Sequence, residues 1–253
     1  MGVHRGDQVM RVTVLGSGDA YGSGGRGHSA YLLEAPGCTF LLDCGPSVLQ
    51  SLKRAGHDSA AIDFVLLSHL HGDHFGGIPF LFMEYRYENP RTRPFAVFGP
   101  PDTERRVRGL FSALYEQTAR EALPFGLRYQ EVVPGSPVVM NGVRVLPFAV
   151  SHVAELVCLG YRIEAAGRTI VYSGDASWSD EFLTQARGAD LFLCECSTYE
   201  TRLPIHISYP EIASRARDLG CHRLVLTHLG SEPLRHLEEL SLECARDGMI
   251  LDL

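Results

Sequence analysis

Within the segment LLSHLHGDHFGG, four side chains able to bind a metal fall in six positions: His69, His71, Asp73 and His74. Imidazole and carboxylate are donors that suit zinc, iron and manganese, and four of them in one short loop after an apolar run have little reason to face solvent together. Alternate placement lets His69 and His71 point one way while Asp73 and His74 turn toward a second ion. A loop alone cannot complete two coordination spheres, so the pattern demands further His and Asp elsewhere. Three are found, each directly after a β-rich run: VRVLPFAVSH ends in His152, TIVYSGD in Asp175 and RLVLTH in His228. Any one of them alone would be an ordinary strand-end or turn residue. Together with the loop they read as one ligand set.

In this order, and with Asp43 in LLDCG, these residues resemble the metallo-β-lactamase superfamily over residues 12–228. The resemblance implies an α/β, four-layer αβ/βα sandwich with the site along one edge. It implies His69, His71 and His152 on a first metal, Asp73, His74 and His228 on a second, and Asp175 bridging both. Asp43 would fix the orientation of the metal loop. The implied cofactors are two divalent ions, Zn2+ foremost with Mn2+ or Fe as alternatives, about 3.5–4 Å apart and holding a water whose pKa falls toward ~7. With such a nucleophile no side-chain nucleophile is needed. Asp73 and His206 are the side chains expected to act in the reaction. His206, in PIHIS between Cys196 and a capped helix, is the candidate proton donor to a leaving alkoxide, the alternative being a surface loop histidine. Glu195, at the end of LFLCE, is a candidate for orienting a ligand.

Histidine at position 71, the Gly160-Tyr161-Arg162 that follows His152, and His206 before a helix look most like the RNase Z group and its phosphodiesterase relatives. Flavodiiron relatives carry an acidic residue where His71 stands, which argues against redox chemistry. RNase Z proper inserts a long tRNA-clamping arm shortly after the GYR, whereas here only the hairpin IEAAGRTI separates it from Asp175. The expected activity is therefore hydrolysis of small phosphodiesters or nucleotides. Hydrolysis of esters, thioesters or lactones, tRNA 3′ processing, and a metal-binding accessory role without turnover are the alternatives.

The elements that must position these residues are legible as β-rich runs at 12–16, 31–35, 39–45, 64–68, 95–99, 143–151, 169–174, 191–195 and 223–228. Segment 103–121 spaces Val107, Leu110, Phe111, Leu114 and Tyr115 as one apolar helix face. Ser208, Pro210 and Glu211 predict an N-cap, a first-position proline and a capping-box glutamate for a helix closed by Gly220. A last helix is expected over about 232–247, ending at Gly248. Early hairpins followed by mixed strands and helices suggest two packed sheets with helices outside.

The 253 residues, 45% apolar, are read as one domain spanning 1–253. No run approaches the roughly 18 apolar residues of a membrane span, and none near the N-terminus serves as a signal peptide, so a cytoplasmic protein is expected. Seven scattered cysteines without CxxC spacing suit a reducing compartment. The net charge of −7, without basic runs, disfavours long nucleic acid as a partner. The glycine-rich GSGDAYGSGGRGHS at 16–29 lacks the GxGxxG spacing before a helix. It is read as an active-site loop in which Arg26 or His28 would touch an anionic substrate, against the simpler alternative of a structural turn. Phe80, Phe82, Tyr85 and Tyr87 are candidates for a pocket mouth or a homodimer contact, with core burial expected for the two phenylalanines. His4, His57, His222 and His236 receive no role.

Overall fold

The computed structural model describes residues 10–253, so His4 lies outside the described residues. These residues form fourteen strands: β1 (Arg11–Gly16), β2 (Ala30–Ala35), β3 (Cys38–Leu42), β4 (Phe64–Leu66), β5 (Phe95–Gly99), β6 (Leu127–Glu131), β7 (Val138–Met140), β8 (Val143–Val150), β9 (Cys158–Ala165), β10 (Arg168–Tyr172), β11 (Leu191–Glu195), β12 (Leu224–Thr227), β13 (Glu243–Cys244) and β14 (Ile250–Asp252). One sheet runs β14-β1-β2-β3-β4-β5-β6 and the other β13-β12-β11-β10-β9-β8-β7. Eight α-helices accompany them: α1 (Val48–Ala55), α2 (Gly72–Phe75), α3 (Ile78–Met83), α4 (Thr103–Leu114), α5 (Glu116–Ala119), α6 (Glu181–Ala186), α7 (Tyr209–Arg215) and α8 (Ser231–Arg235).

Side-chain alternation along these strands explains the layering. Phe64 and Leu66 of β4 face the inter-sheet core, whereas Val65 faces the layer that contains α1, α3 and α4. In the second sheet, Leu191 and Leu193 point inward while Phe192 and Cys194 pack with Phe182 of α6 and Ile212 of α7. Strands buried on both faces read as continuous apolar runs, which is why LFLCE and FVL were visible without alternation in the sequence. The result is the metallo-β-lactamase αβ/βα sandwich.

Strands β3 to β6 are parallel to one another, as are β10 to β13, and β8 runs with β10 because each is antiparallel to β9. The carboxyl ends of β3, β4, β8, β10, β11 and β12 therefore share one edge of the sandwich. Two backbone-directed hydrogen bonds tie the sheets together there: the Leu159 amide donates to the Ser68 carbonyl at 3.0 Å and the Tyr161 hydroxyl to the Leu67 carbonyl at 2.6 Å.

Several sequence expectations need correction. The helix over 232–247 is only α8, followed by a short turn and β13, because the segment completes the second sheet. Glu243 registers with Val225, the Ala245 amide donates to the Leu226 carbonyl at 2.7 Å, and Arg223 grips Glu243 through two nitrogens at 2.9 and 2.7 Å. Sheet pairing overrides the helical spacing of the leucines. The 103–121 helix breaks into α4 and α5 at Tyr115, whose φ of −139° leaves the helical region. Ser208 and Glu211 do form a capping box, but Pro210 is the second helical residue, and α7 stops at Arg215 before Gly220. Strands β6, β7, β13 and β14 present no β-rich run because they are short or polar strands at the sheet edges, and the interior strand β9 shows in the sequence only through the IEAAGRTI hairpin.

Candidate metal centre

The loop after β4 places His69 fully buried, turns at His71, and enters α2, whose first turn carries Asp73 and His74. The strand ends bring His152, Asp175 and His228 to the same place. The ligand atoms of His69, His71 and His152 form one group within 4.8 Å of one another, and those of Asp73, His74, Asp175 and His228 form a second. All seven predicted ligands are thus brought together.

Asp175 faces both groups. Its Oδ1 lies 3.2 Å from His74 Nε2, while its Oδ2 lies 3.2 Å from His228 Nε2 and 3.9 Å from both His69 Nε2 and His152 Nε2. Asp73 Oδ2 approaches His74 Nε2 at 3.2 Å and His228 Nε2 at 3.3 Å, and His152 Nε2 approaches His71 Nδ1 at 3.2 Å. His69 Nε2, His74 Nε2 and Asp175 Oδ1 are buried and make no aligned hydrogen bond, although the last two lie 3.2 Å apart. Such orphans are costly in a folded interior, and converging nitrogens and carboxylate oxygens are the donors a divalent ion needs. The residues fit a metal on this chain's own geometry.

The outward ring nitrogens of four of the five histidines are held. His74 Nδ1 meets Asp43 Oδ2 at 2.8 Å, His228 Nδ1 meets Ser197 Oγ at 2.9 Å, His152 Nδ1 meets the Ile205 carbonyl at 2.8 Å, and His69 Nδ1 meets Ser68 Oγ at 3.1 Å. Asp43 is the hub of this support. It accepts from the Ser68 amide and hydroxyl at 2.7 Å each and from Tyr172 at 2.8 Å, with its backbone at φ 56°. His228 likewise adopts φ 51°, in the left-handed region that non-glycine residues seldom occupy. Gly45 is required beside the loop, since a Cβ there would sit 2.4 Å from the Asp73 carbonyl.

The electrostatics split the histidines. Burial, with the neighbouring histidines, pushes His69 and His71 below the usual imidazole range. Burial also opposes charge on His74 and His228, but the carboxylates outweigh it, lifting His74 well above its ordinary value and His228 to about 9. Against their own burial, Asp73 and Asp175 are held well below the carboxylate range by those same histidines.

His206 sits beside the donors, its ring centroid 4.9 Å from that of His152. Its Nδ1 meets Glu195 Oε1 at 2.8 Å, which leaves Nε2 for other contacts. Burial lowers its pKa, but the Glu195 hydrogen bond and charge prevail and raise it. Glu195 is itself fixed by the Ala176 amide and by Ser197. It therefore orients His206, the residue expected to donate a proton, directly, and the candidate ligand His228 through Ser197.

A cavity of about 450 Å3 opens over His71, Asp73, His152, Asp175, His206 and His228. The glycine-rich loop does line it, but through Asp19, Ala20, Tyr21 and Ser23 and not through Arg26 or His28. Arg26 instead donates to Ser17 Oγ at 2.8 Å and to the Ala245 carbonyl at 2.5 Å, and the His28 amide donates to Ser47 Oγ. Phe82 and Tyr85 are core residues, Phe80 and Tyr87 are exposed, and none of the four lines the cavity. Sequence reasoning missed Ser68, Ser197, Tyr172 and Glu232. Their only signal was proximity to a ligand or to a loop, which polar residues share throughout the chain. A larger cavity of about 610 Å3 lies at the opposite, amino-terminal ends of β4, β5 and β6, away from this chemistry.

An αβ/βα sandwich with a His and Asp cluster at the carboxyl ends of its strands defines a metallo-β-lactamase-fold protein. The "beta-lactamase superfamily domain" profile matches residues 39–229, and the chain belongs to that superfamily, whose members generally are hydrolases that bind divalent metals. ML1173, an uncharacterized protein of Mycobacterium leprae, is 38% identical over 90% of this chain and 81% of its own length. A ribonuclease Z of Methanosarcina acetivorans is 26% identical, covering 88% of each chain. The crystal structure of a diphosphatase from the PhnP family superposes with a TM-score of 0.77 at 21% identity, over 96% of this chain and 98% of that one.

Proposed function

We propose that the protein is a binuclear, metal-dependent phosphodiesterase acting on small phosphodiesters. The observation that carries this reading is the pair of adjoining donor groups sharing Asp175, with three buried donor atoms left without hydrogen bonds. His69, His71 and His152 would hold one ion, Asp73, His74 and His228 the other, and Asp175 both, with Zn2+ the metal this ligand chemistry favours. Divalent ions in such a site activate water and offset negative charge developing on substrate oxygens.

The chain's own residues do the rest. Asp43, Ser68, Ser197 and the Ile205 carbonyl hold four histidine rings in register, so the ligands are preorganised before substrate arrives. In hydrolysis, water forms the new P–O bond as the leaving P–O bond breaks, and the departing oxygen requires a proton. We assign that proton to His206 Nε2, because Glu195 engages Nδ1 and raises the ring's affinity for a proton. Phosphodiesterase rather than tRNA-processing activity is favoured by the β9–β10 hairpin, where Ala165 pairs directly with Arg168 and no arm intervenes.

Metal-loaded protein assayed on bis(p-nitrophenyl) phosphate, a thioester, a lactone and a precursor tRNA tests the reading. Turnover of the phosphodiester is expected. Turnover of carbonyl substrates alone, or of the tRNA alone, overturns it, and two bound metals without turnover of any substrate would indicate an accessory protein.

A further inference from the structure

The outer wall of the cavity is not explained by metal chemistry. Tyr21 lines it and is 92% exposed, so both faces of its ring are open. Its loop is nonetheless held. Asp19 accepts from the amides of Tyr21 and Ser23 at 3.1 and 3.0 Å and from the Ser23 hydroxyl at 2.9 Å, and Gly22 takes the left-handed turn at φ 65°. Single exposed aromatics are common on protein surfaces, but this one stands on a pinned loop at a cavity that contains the donor cluster. Leu203 and Ile205 add apolar surface elsewhere on the wall.

The charge around the cavity limits what can occupy it. Among the described residues lining it there is no Lys or Arg, whereas Asp19 and Glu232 both contribute. Glu232 is committed to its anionic form, since hydrogen bonds from the Thr201 hydroxyl and from the amides of Tyr199, Thr201 and Glu200 pull its pKa down to about 2. A substrate bearing further phosphates would meet these carboxylates without a compensating cation. Its negative charge must therefore be confined to the group at the metal centre, and the portion reaching outward must be uncharged.

Building on the phosphodiesterase reading above, we propose that Tyr21 determines specificity as a stacking platform for the planar, uncharged end of a singly charged phosphodiester, a nucleobase being the chemical class that fits. Aromatic rings hold bases by stacking, whatever their hydrogen-bonding edges. The acidic wall separates such a mononucleotide diester from polyphosphates and from polynucleotides, whose flanking phosphates would lie against Asp19 and Glu232.

Two cyclic phosphodiesters with the same reacting ring test this: adenosine 2′,3′-cyclic phosphate, which bears a base, and glycerol 1,2-cyclic phosphate, which does not. In the holoenzyme, Tyr21→Ala is expected to lower kcat/KM about tenfold for the adenosine compound, through KM, with no change for the glycerol compound, and Tyr21→Phe to retain the wild-type value. Saturation-transfer NMR of adenosine on the metal-free protein provides a readout independent of turnover, with transfer to the base protons expected in wild type and Tyr21→Phe and lost in Tyr21→Ala. Equal losses on both diesters, or none, overturn the proposal, as does a change in oligomeric state on size exclusion that accounts for the loss. If wild type hydrolyses no phosphodiester, Tyr21-dependent base binding would uphold the platform while the reaction assignment falls. Absence of both turnover and base binding overturns the platform as well.

Discussion

Asp175 is the residue on which the two donor groups depend, because its two oxygens reach histidines of both. Asp175→Ala is expected to abolish activity and to lower the occupancy of both ions, read by metal analysis of the purified variant. Retention of two ions and full rate would show that the carboxylate bridges nothing. His206 belongs to a different part of the chemistry. His206→Ala should reduce kcat by about 100-fold or more with metal content intact. The pH profile gives the sharper check. A proton donor whose pKa is raised by Glu195 acts below that pKa and loses its effect as pH rises through it. Glu195→Gln removes the carboxylate that raises it, so the alkaline limb of kcat/KM should move toward lower pH, and an unmoved limb would exclude His206 as the acid.

At the scale of elements, the cavity wall is held by parts of the chain remote in sequence. Asp247, in the turn between β13 and β14, accepts from the Ser17 amide and hydroxyl at 3.0 and 2.8 Å and from the Gly27 amide at 2.6 Å. It clamps both ends of the glycine-rich loop on which Tyr21 is carried. Asp247→Ala should raise KM several-fold with little change in kcat and should speed proteolytic cleavage within residues 17–27, since loss of the clamp exposes backbone. Proteolysis at the wild-type rate would show that the loop is held by its internal turns alone. The inter-sheet bonds of Tyr161 and Leu159 act comparably on the metal edge. They lock the end of β4, which leads to His69, against the sheet that supplies His152 and Asp175.

For the whole molecule, metal binding and protonation are linked. Without a bound ion, the carboxylates hold His74 well above its ordinary value and push His228 up to about 9, which favours their protonated forms, while burial favours neutral His69 and His71. A metal requires neutral imidazoles. Binding should therefore release the protons of His74 and His228, and affinity should weaken as pH falls below about 9. Calorimetric titration in buffers of different ionisation enthalpy measures this directly, and a buffer-independent heat would show that those histidines are already neutral. Chelation should lower Tm, because an ion bound only by the folded state stabilises it in proportion to the logarithm of its excess over Kd.

The seven candidate ligands were legible in the sequence because coordination chemistry restricts each position to very few residue types, and the strands before most of them carry strong β patterns. The capping box of α7 and the shortness of the β9–β10 hairpin were equally legible, both being local. The supporting residues were not. Ser68, Ser197 and Tyr172 are ordinary polar residues until two sheets bring them within reach of a histidine or of Asp43. The segment 232–247 shows the limit most plainly, since its leucine spacing favours a helix and only the open edge of β12 converts part of it to strand. The same holds for the cavity wall, where the glycine-rich loop pointed to Arg26 and His28 as the substrate contacts. Packing against Ala245 and Ser17 occupied Arg26, the Ser47 hydroxyl held the His28 backbone, and the cavity was left to Tyr21. Sequence alone determined which atoms can bind a metal, because that depends on residue type. Tertiary structure decided which neighbours hold those atoms and which residues line the cavity over them, because both depend on contacts between segments far apart in the chain.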